Sequence, residues 1–315
     1  MRMPSSKNKP IVFLFGATAS GKTEIAINLA KKFPIELISV DSVMVYKDCN
    51  IGSAKPDKEI LKKYPHHLID IKTLDDIFTV SDFCVIANKL ITEAHKNEKL
   101  PVLVGGSMMY FKSLFDGMHD LPQRDEAFRE ELKISKISNS ETYLHELLQD
   151  IDPAYANLIN ENDDIRIIRA LEIYKNSNKK MSDILKEEPK NGAKNKYNIH
   201  QFGIHFDREI LHKRIEDRLN NMFDEGLIEE VKSISKHYRF SDDHPIKKAV
   251  NYKQVFDFLS GKYPEDIMLD KSLYATRQLA KRQDTWMRGW EKYIELKDGD
   301  PKILINNVKN LVSSL

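Results

Sequence analysis

The sequence predicts an α/β protein: a doubly wound parallel sheet of the P-loop NTPase-like kind, carrying a helical insertion domain. Three observations carry that expectation. The continuous apolar run Ile11-Val12-Phe13-Leu14-Phe15 has the form of a strand buried on both faces. It runs straight into Gly16-Ala17-Thr18-Ala19-Ser20-Gly21-Lys22-Thr23, which matches the phosphate-loop pattern G-x-x-x-x-G-K-[ST]. Helix and strand patterns then alternate, the order of a doubly wound sheet.

The helix after the loop is marked by Ile25, Ala26, Leu29, Ala30 and Phe33 at helical spacing, with Pro34 as its stop. Ile35 to Val40 predicts a second buried strand, ending at Asp41-Ser42. Thr79 with Asp82 has the form of a capping box before a helix to about Lys96, and Pro101 to Val104 predicts a third strand ending in Gly105-Gly106-Ser107. From Asp116 to Asn198 the segments are charged and mostly helical, with the polar stretch Lys190 to Lys196 at the far end. The expected division is therefore a core over 9–115 and 199–315 and a helical insertion over 116–198. The core resumes as a strand over Ile199 to Phe206, then a helix with Ile210, Leu211, Ile215, Leu219 and Met222 on one face. Further helices are expected over about Leu227 to His237 and Lys271 to Gly289.

Composition bounds the function. The chain has 315 residues, room for two domains or one with a large insertion. With 41% apolar and 31% charged residues it falls outside the disordered and collagen-like classes. No apolar run approaches the ~18 residues of a bilayer span. Met1 to Lys9 is polar, and the apolar run after it is too short for a signal-peptide core, so a cytoplasmic protein with no membrane partner is expected. Cys49 and Cys84 are too few for a disulfide framework or a four-cysteine zinc site and read as reduced thiols. Lys and Arg total 49 against 48 Asp and Glu, so any signal for nucleic acid has to be local.

The loop Gly16–Thr23 lets the backbone turn its N–H groups onto phosphate oxygens, and the helix N-terminus adds positive potential. Lys22 would neutralise the outer phosphate and Thr23 would hold Mg²⁺. Nucleotide hydrolases of this class usually hold the metal with an acid at the end of a later strand, but Pro101 to Val104 ends in Gly-Gly-Ser. The acid at the ligand-binding edge is instead Asp41, which can be read as a base or as a capping acid. Asp70, after Leu68-Ile69, is a weaker candidate partner for magnesium.

Six further stretches occur in one order. They are Ser39-Val40-Asp41-Ser42-Val43-Met44-Val45-Tyr46, Ile51-Gly52-Ser53-Ala54-Lys55-Pro56, His66-His67-Leu68-Ile69-Asp70, Val104-Gly105-Gly106-Ser107, Arg166-Ile167-Ile168-Arg169-Ala170-Leu171-Glu172 and Arg277-Gln278-Leu279-Ala280-Lys281-Arg282-Gln283. With the P-loop they make the chain resemble the tRNA dimethylallyltransferases from about Ile11 to Trp290. The resemblance implies transfer of a five-carbon prenyl group from dimethylallyl diphosphate to N6 of adenosine-37, 3′ of the anticodon, in tRNAs reading codons that begin with U. It implies Mg²⁺ as cofactor, a loop that holds the prenyl diphosphate rather than a nucleoside triphosphate, and the anticodon stem-loop of tRNA as partner. A monomer is expected.

By the same resemblance Asp41, Ser107 and Lys22 are catalytic, with Asp41 the base. The diphosphate falls to Gly16, Ala17, Thr18, Ala19, Ser20, Gly21, Lys22 and Thr23. Arg214 and Arg218, one helical turn apart, are candidate clamps for it, Arg218 the favoured one, with surface ion pairing to Glu216 or Asp217 the other reading of Arg214. The implied tRNA contacts are Asp41, Ser42, Val43, Met44, Ser107, Arg129, Ile165, Arg166, Ile167, Ile168, Arg169, Lys248, Ala249, Val250, Asn251, Tyr252, Lys253, Lys281, Arg282, Gln283, Asp284, Thr285, Trp286, Met287 and Arg288. Cations interleaved with Trp286 and Trp290 suit phosphates and unpaired bases, while core packing is the other reading of both tryptophans.

The chain departs from the family in three places. Ser107 stands for the usual threonine and Ala17 for a common proline. Asn251 stands for a glycine, and asparagine tolerates positive φ. No Cys/His finger of the kind some eukaryotic members carry follows the core, so a chain of bacterial type is expected. Competing expectations are a P-loop kinase of a small metabolite, a prenyltransferase acting on free adenylate, and a non-enzymatic RNA-binding module. The basic clusters, the long insertion, and the P-loop with its strand-end acid argue against them in turn.

Overall fold

A computed structural model describes residues 9–241 and 244–315; of the expected polar start, Met1 to Lys9, all but Lys9 lies outside the described residues. The chain forms two compact units, one of the residues up to Phe115 with Ala193–Leu315, the other Asp116–Gly192.

The first unit is built on β1 (Pro10–Gly16), whose apolar residues Ile11 to Phe15 are fully buried. Alternation along the strand sends Ile11, Phe13 and Phe15 into one core cluster with Phe83, Phe111 and Trp290. Val12 and Leu14 point into another with Leu29, Phe202 and Leu304. The run is unbroken because both faces are covered. Beside β1 lie β2 (Ile35–Val40), β3 (His66–His67), β4 (Leu100–Gly105) and the strands Asn198–His205 and Ile294–Lys297. They make a six-stranded sheet in the order β3-β2-β4-β1, then Asn198–His205 and Ile294–Lys297. Every neighbouring pair is parallel.

Register fixes the functional edge. Gly105 of β4 pairs with both Phe15 of β1 and Val40 of β2, and Gly16 pairs with Ile204. The carboxyl ends of three strands therefore stop level, and Gly16, Asp41 and Gly106 all leave the sheet at one edge. The match is tight: a Cβ on Gly105 would stand 2.0 Å from the Val40 carbonyl oxygen.

Helices cover both faces. α1 (Lys22–Ala30) lies on the Val12/Leu14 side with the C-terminal helix Lys302–Val312. The other side takes Val80–Lys96, Met108–Asp116, Leu227–His237, Tyr252–Leu259 and the long Glu265–Arg288 helix. Thr79 and Asp82 form the expected capping box, Asp82 N–H to Thr79 Oγ1 at 3.2 Å and Thr79 N–H to Asp82 Oδ2 at 2.9 Å.

Sequence patterning misses β3, the edge strand Ile294–Lys297, and the helices Tyr252–Leu259 and Lys302–Val312. β3 is two residues long, and only Leu296 of Ile294–Lys297 is buried, so neither offers an apolar run. The long helix begins at Glu265, right after Pro264, rather than at about Lys271. Among the described residues no helix is long and apolar enough to cross a membrane.

The second unit packs helices Glu126–Ile137, Tyr143–Ile151 and Asp164–Ser177 around Leu132, Leu144, Leu148, Ile167 and Leu171. Its two ends meet in an antiparallel pair, Gly117–Met118 with Lys190–Asn191, so the polar stretch expected to be an ending is half of a clasp. Inside is a fully buried carboxylate, Glu172. Arg129 donates to it through Nε at 2.6 Å and Nη2 at 2.8 Å, the Asp125 N–H at 2.7 Å, and Arg169 through Nη1. Arg169 also reaches the Pro122 carbonyl at 2.8 Å. Burial pushes the Glu172 carboxyl up. The hydrogen bonds from Arg129, Asp125 and Arg169 and the Arg129 charge outweigh it and hold the group at about 2.

Glu172→Ala leaves two guanidinium groups without their shared partner and is expected to destabilise this unit by about 3–5 kcal/mol. Hydrogen exchange resolved over 116–192 measures it. Because the native carboxyl lies below its ordinary 4.5, its stabilisation is complete above about 4.5 and is lost as pH falls toward 2. Glu172→Gln should show a weaker pH dependence of protection across that window.

Candidate active site

The phosphate loop closes between β1 and α1 with two left-handed residues, Ala19 at φ 62° and Gly21 at φ 83°, the latter capping α1. Alanine is strained there, and the loop is braced to hold it. From inside, the Lys22 ammonium folds back to donate to the carbonyls of Gly16 at 2.9 Å and Ala17 at 2.6 Å. From outside, Arg214 Nε donates to the Ala19 carbonyl at 2.8 Å while its guanidinium stacks 4.7 Å from the Phe206 ring centroid. The Thr18 N–H donates to Gln283 Oε1 at 2.8 Å.

The site is electrically loaded. Burial first, and the charge of Arg218 second, lower the Lys22 ammonium to about 7, with Asp41 opposing them. Burial also lowers Arg218, and again Asp41 opposes. Lys22, Arg218 and Asp41 thus share one electrostatic environment at the sheet edge. Two basic groups, with Asp41 acting on both, are an arrangement that suits an anion.

Asp41 leaves the end of β2 and accepts the N–H groups of Val43 at 2.8 Å and Met44 at 3.1 Å, both on Oδ1. Among the described residues no hydrogen bond reaches Oδ2. The carboxylate thus holds the turn that follows β2, with no helix there to cap, and that role occupies one oxygen. Ser107 follows Gly106 beyond β4, its N–H 3.3 Å from the Val40 carbonyl, one residue before Asp41.

Arg214 is exposed and engaged with the loop backbone. Its expected surface partners are taken by others, Asp217 by Lys213 and Glu216 by Arg277. Asp70, the weaker magnesium candidate, gives Oδ1 to Lys55 Nζ at 2.6 Å. Thr23 lies half-buried in the first turn of α1. Among the described residues there is no group of three His, Cys, Asp or Glu able to hold a metal. Magnesium held by phosphate oxygens and one protein hydroxyl requires no such group, so Thr23 fits it.

The segments expected to face tRNA are not continuous surfaces, because a helix turns its side chains through all directions. In the second unit Ile165 and Arg166 are exposed, Ile167 and Ile168 are core, and Arg169 is bound to Glu172. In the first, Asn251, Tyr252, Gln283 and Met287 are buried. Tyr252 donates its hydroxyl to Glu230 Oε1 at 2.7 Å, and Asn251 takes φ 72° at the start of its helix. These side chains belong to the fold's interior. Lys248, Lys253, Lys281, Arg282, Thr285, Trp286 and Arg288 are exposed, with Lys253 paired to Asp257 and Arg288 to Asp284. The tryptophans divide: Trp286 is 44% exposed, whereas Trp290 is 9% exposed, packs on Phe15 and donates Nε1 to Gln201 at 2.6 Å.

Sequence reasoning missed Glu230. Its carboxylate accepts the N–H groups of Asn50, Ile51 and Gly52, which holds the Ile51–Pro56 motif in place. Gly52 is required there, since a Cβ would lie 2.7 Å from the Tyr252 ring.

The family model for IPP transferase matches residues 44–290. Among solved structures, the full-length tRNA isopentenylpyrophosphate transferase from Bacillus halodurans is 34% identical, covers 98% of each chain and superposes with a TM-score of 0.69. The tRNA delta(2)-isopentenylpyrophosphate transferase from Staphylococcus epidermidis is 29% identical over 98% of this chain and 100% of its own, with a TM-score of 0.66. A eukaryotic dimethylallyltransferase acting on tRNA is 26% identical over 93% of this chain and 75% of its own, with a TM-score of 0.77. The family model begins beyond the phosphate loop, and the structural matches extend the likeness across it. From the braced loop at its start to the tryptophan that closes the core, the chain belongs to the IPP transferase family.

Proposed function

We propose that the protein transfers a dimethylallyl group from dimethylallyl diphosphate to N6 of adenosine-37 in tRNAs reading codons that begin with U. The products are N6-(dimethylallyl)adenosine and diphosphate. The observation that carries this reading, within the family, is that the phosphate-loop motif and a strand-end carboxylate leave the sheet at one edge. One suits a leaving diphosphate, the other an acceptor amine.

The adenine amine is a weak nucleophile because its lone pair is delocalised into the ring. In the proposed step N6 attacks C1 of the prenyl group, and the C–O bond breaks with its electron pair leaving on diphosphate. The N6 proton passes to Asp41. Oδ2 is the oxygen for that proton, since Oδ1 already holds two backbone N–H groups. Charge growing on the diphosphate meets Lys22, Arg218 and the loop N–H groups, where a preorganised donor is worth about 3 kcal/mol. Magnesium, bound through Thr23 and phosphate oxygens, would supply further neutralisation of that charge.

Incubation with unmodified tRNA and dimethylallyl diphosphate, followed by nucleoside analysis, tests the reaction. Absence of prenylated adenosine overturns the proposal. Asp41→Asn keeps the shape and the Oδ1 contacts but takes no proton, so the single-turnover rate is expected to fall about 100-fold or more at saturating substrates. Added Mg²⁺ should not restore it. Lys22→Ala is expected to weaken binding of inorganic diphosphate while leaving tRNA affinity within about twofold, because its ammonium is held within the phosphate loop, on the Gly16 and Ala17 carbonyls. Calorimetric titration and filter binding read the two arms.

A further inference from the structure

At the sheet edge the long helix turns inward Ala280, Gln283 and Met287, spaced three and four residues apart. Two are apolar. The third is an amide only 8% exposed, and both its ends are engaged across the chain. Oε1 accepts the Thr18 N–H at 2.8 Å, and Nε2 donates to the Gly106 carbonyl at 2.9 Å. The fit is close, since a Cβ on Gly106 would stand 2.4 Å from Nε2.

Each bonded residue adjoins one working part of the site. Thr18 precedes Ala19, whose left-handed backbone turns the phosphate loop. Gly106 precedes Ser107, whose N–H lies against the Val40 carbonyl next to Asp41. One side chain therefore holds the loop for the leaving group and the loop beside the base at a fixed separation. Resting on the reading just given, we propose that Gln283 is a positioning residue for prenyl transfer: it sets the distance between diphosphate and acceptor amine and makes no contact with tRNA. The amide acts through two backbones, so its loss lowers the rate of transfer between bound substrates and leaves their binding intact.

A misplacement of about 1 Å between reacting groups costs on the order of 100-fold. Gln283→Ala is expected to slow single turnover about 10- to 100-fold at saturating tRNA and dimethylallyl diphosphate, with tRNA affinity within about twofold and its salt dependence unchanged. Gly106→Ala, which displaces Nε2 without removing it, should slow turnover similarly. In the Gln283→Ala background the added methyl meets no amide, so the double variant should be no slower than the single one. Should Gln283→Ala fail to fold, Gly106→Ala alone decides, by whether rate or tRNA affinity falls. Weakened tRNA affinity with an unchanged rate between bound substrates overturns the proposal and makes Gln283 an RNA contact. Equal rates, or a double variant slower by the product of the two effects, also overturn it. A wild type that forms no prenylated tRNA fails the functional reading itself, and this inference with it. A wild type that turns over no faster than Gln283→Ala fails this inference alone.

Discussion

Register in the parallel sheet is the constraint on which everything else depends. Because Gly105 is level with both Phe15 and Val40, three chain segments emerge side by side: the phosphate loop, the Asp41 turn and the Gly106-Ser107 bend. A side-chain period of two makes a one-residue slip reverse every strand face. Slipping β1 would send Phe13 and Phe15 into the cluster built for Val12 and Leu14 and carry the loop away from Asp41. The apolar core and the chemistry are thus specified by the same pairing, and the glycine at its tightest point leaves no space for a side chain between β4 and β2.

What the sequence discloses is what local pattern can carry. The phosphate loop, the flanking strands, the Thr79–Asp82 cap and the tolerance of Asn251 for positive φ all arise within a few residues of one another. Gln283 is 265 residues from Thr18 and 177 from Gly106, and Glu230 is 178 from Gly52. No periodicity or motif spacing encodes such pairings, and a glutamine on a basic helix reads as surface until the fold turns it inward. The two tryptophans make the same point. Four residues apart on one stretch of chain, they differ because Trp290 lies past the helix end, where the chain turns back over Phe15.

The charge balance of the edge follows from the loop's construction. Lys22 is held to carbonyls of its own loop and brought down to about 7 by burial and by Arg218. Keeping two cations close in a partly dry site works against the fold, and such strain persists where the surroundings over-determine it. Here the surroundings are Arg214 on Ala19, Gln283 on Thr18 and the sheet beneath. Asp41 is the one carboxylate acting on both cations, so the group read as a base also tempers the repulsion beside it.

The antiparallel pair that joins Gly117–Met118 to Lys190–Asn191 returns the chain of the second unit to the point where it departed. A segment tied at its own neck adds only a short closure to its host, whatever lies between, since the entropic cost of a loop grows slowly with its length. Such an insert is modular. In the course of evolution it can be lengthened, trimmed or exchanged at that neck while β4 and the strand Asn198–His205 keep their places beside β1.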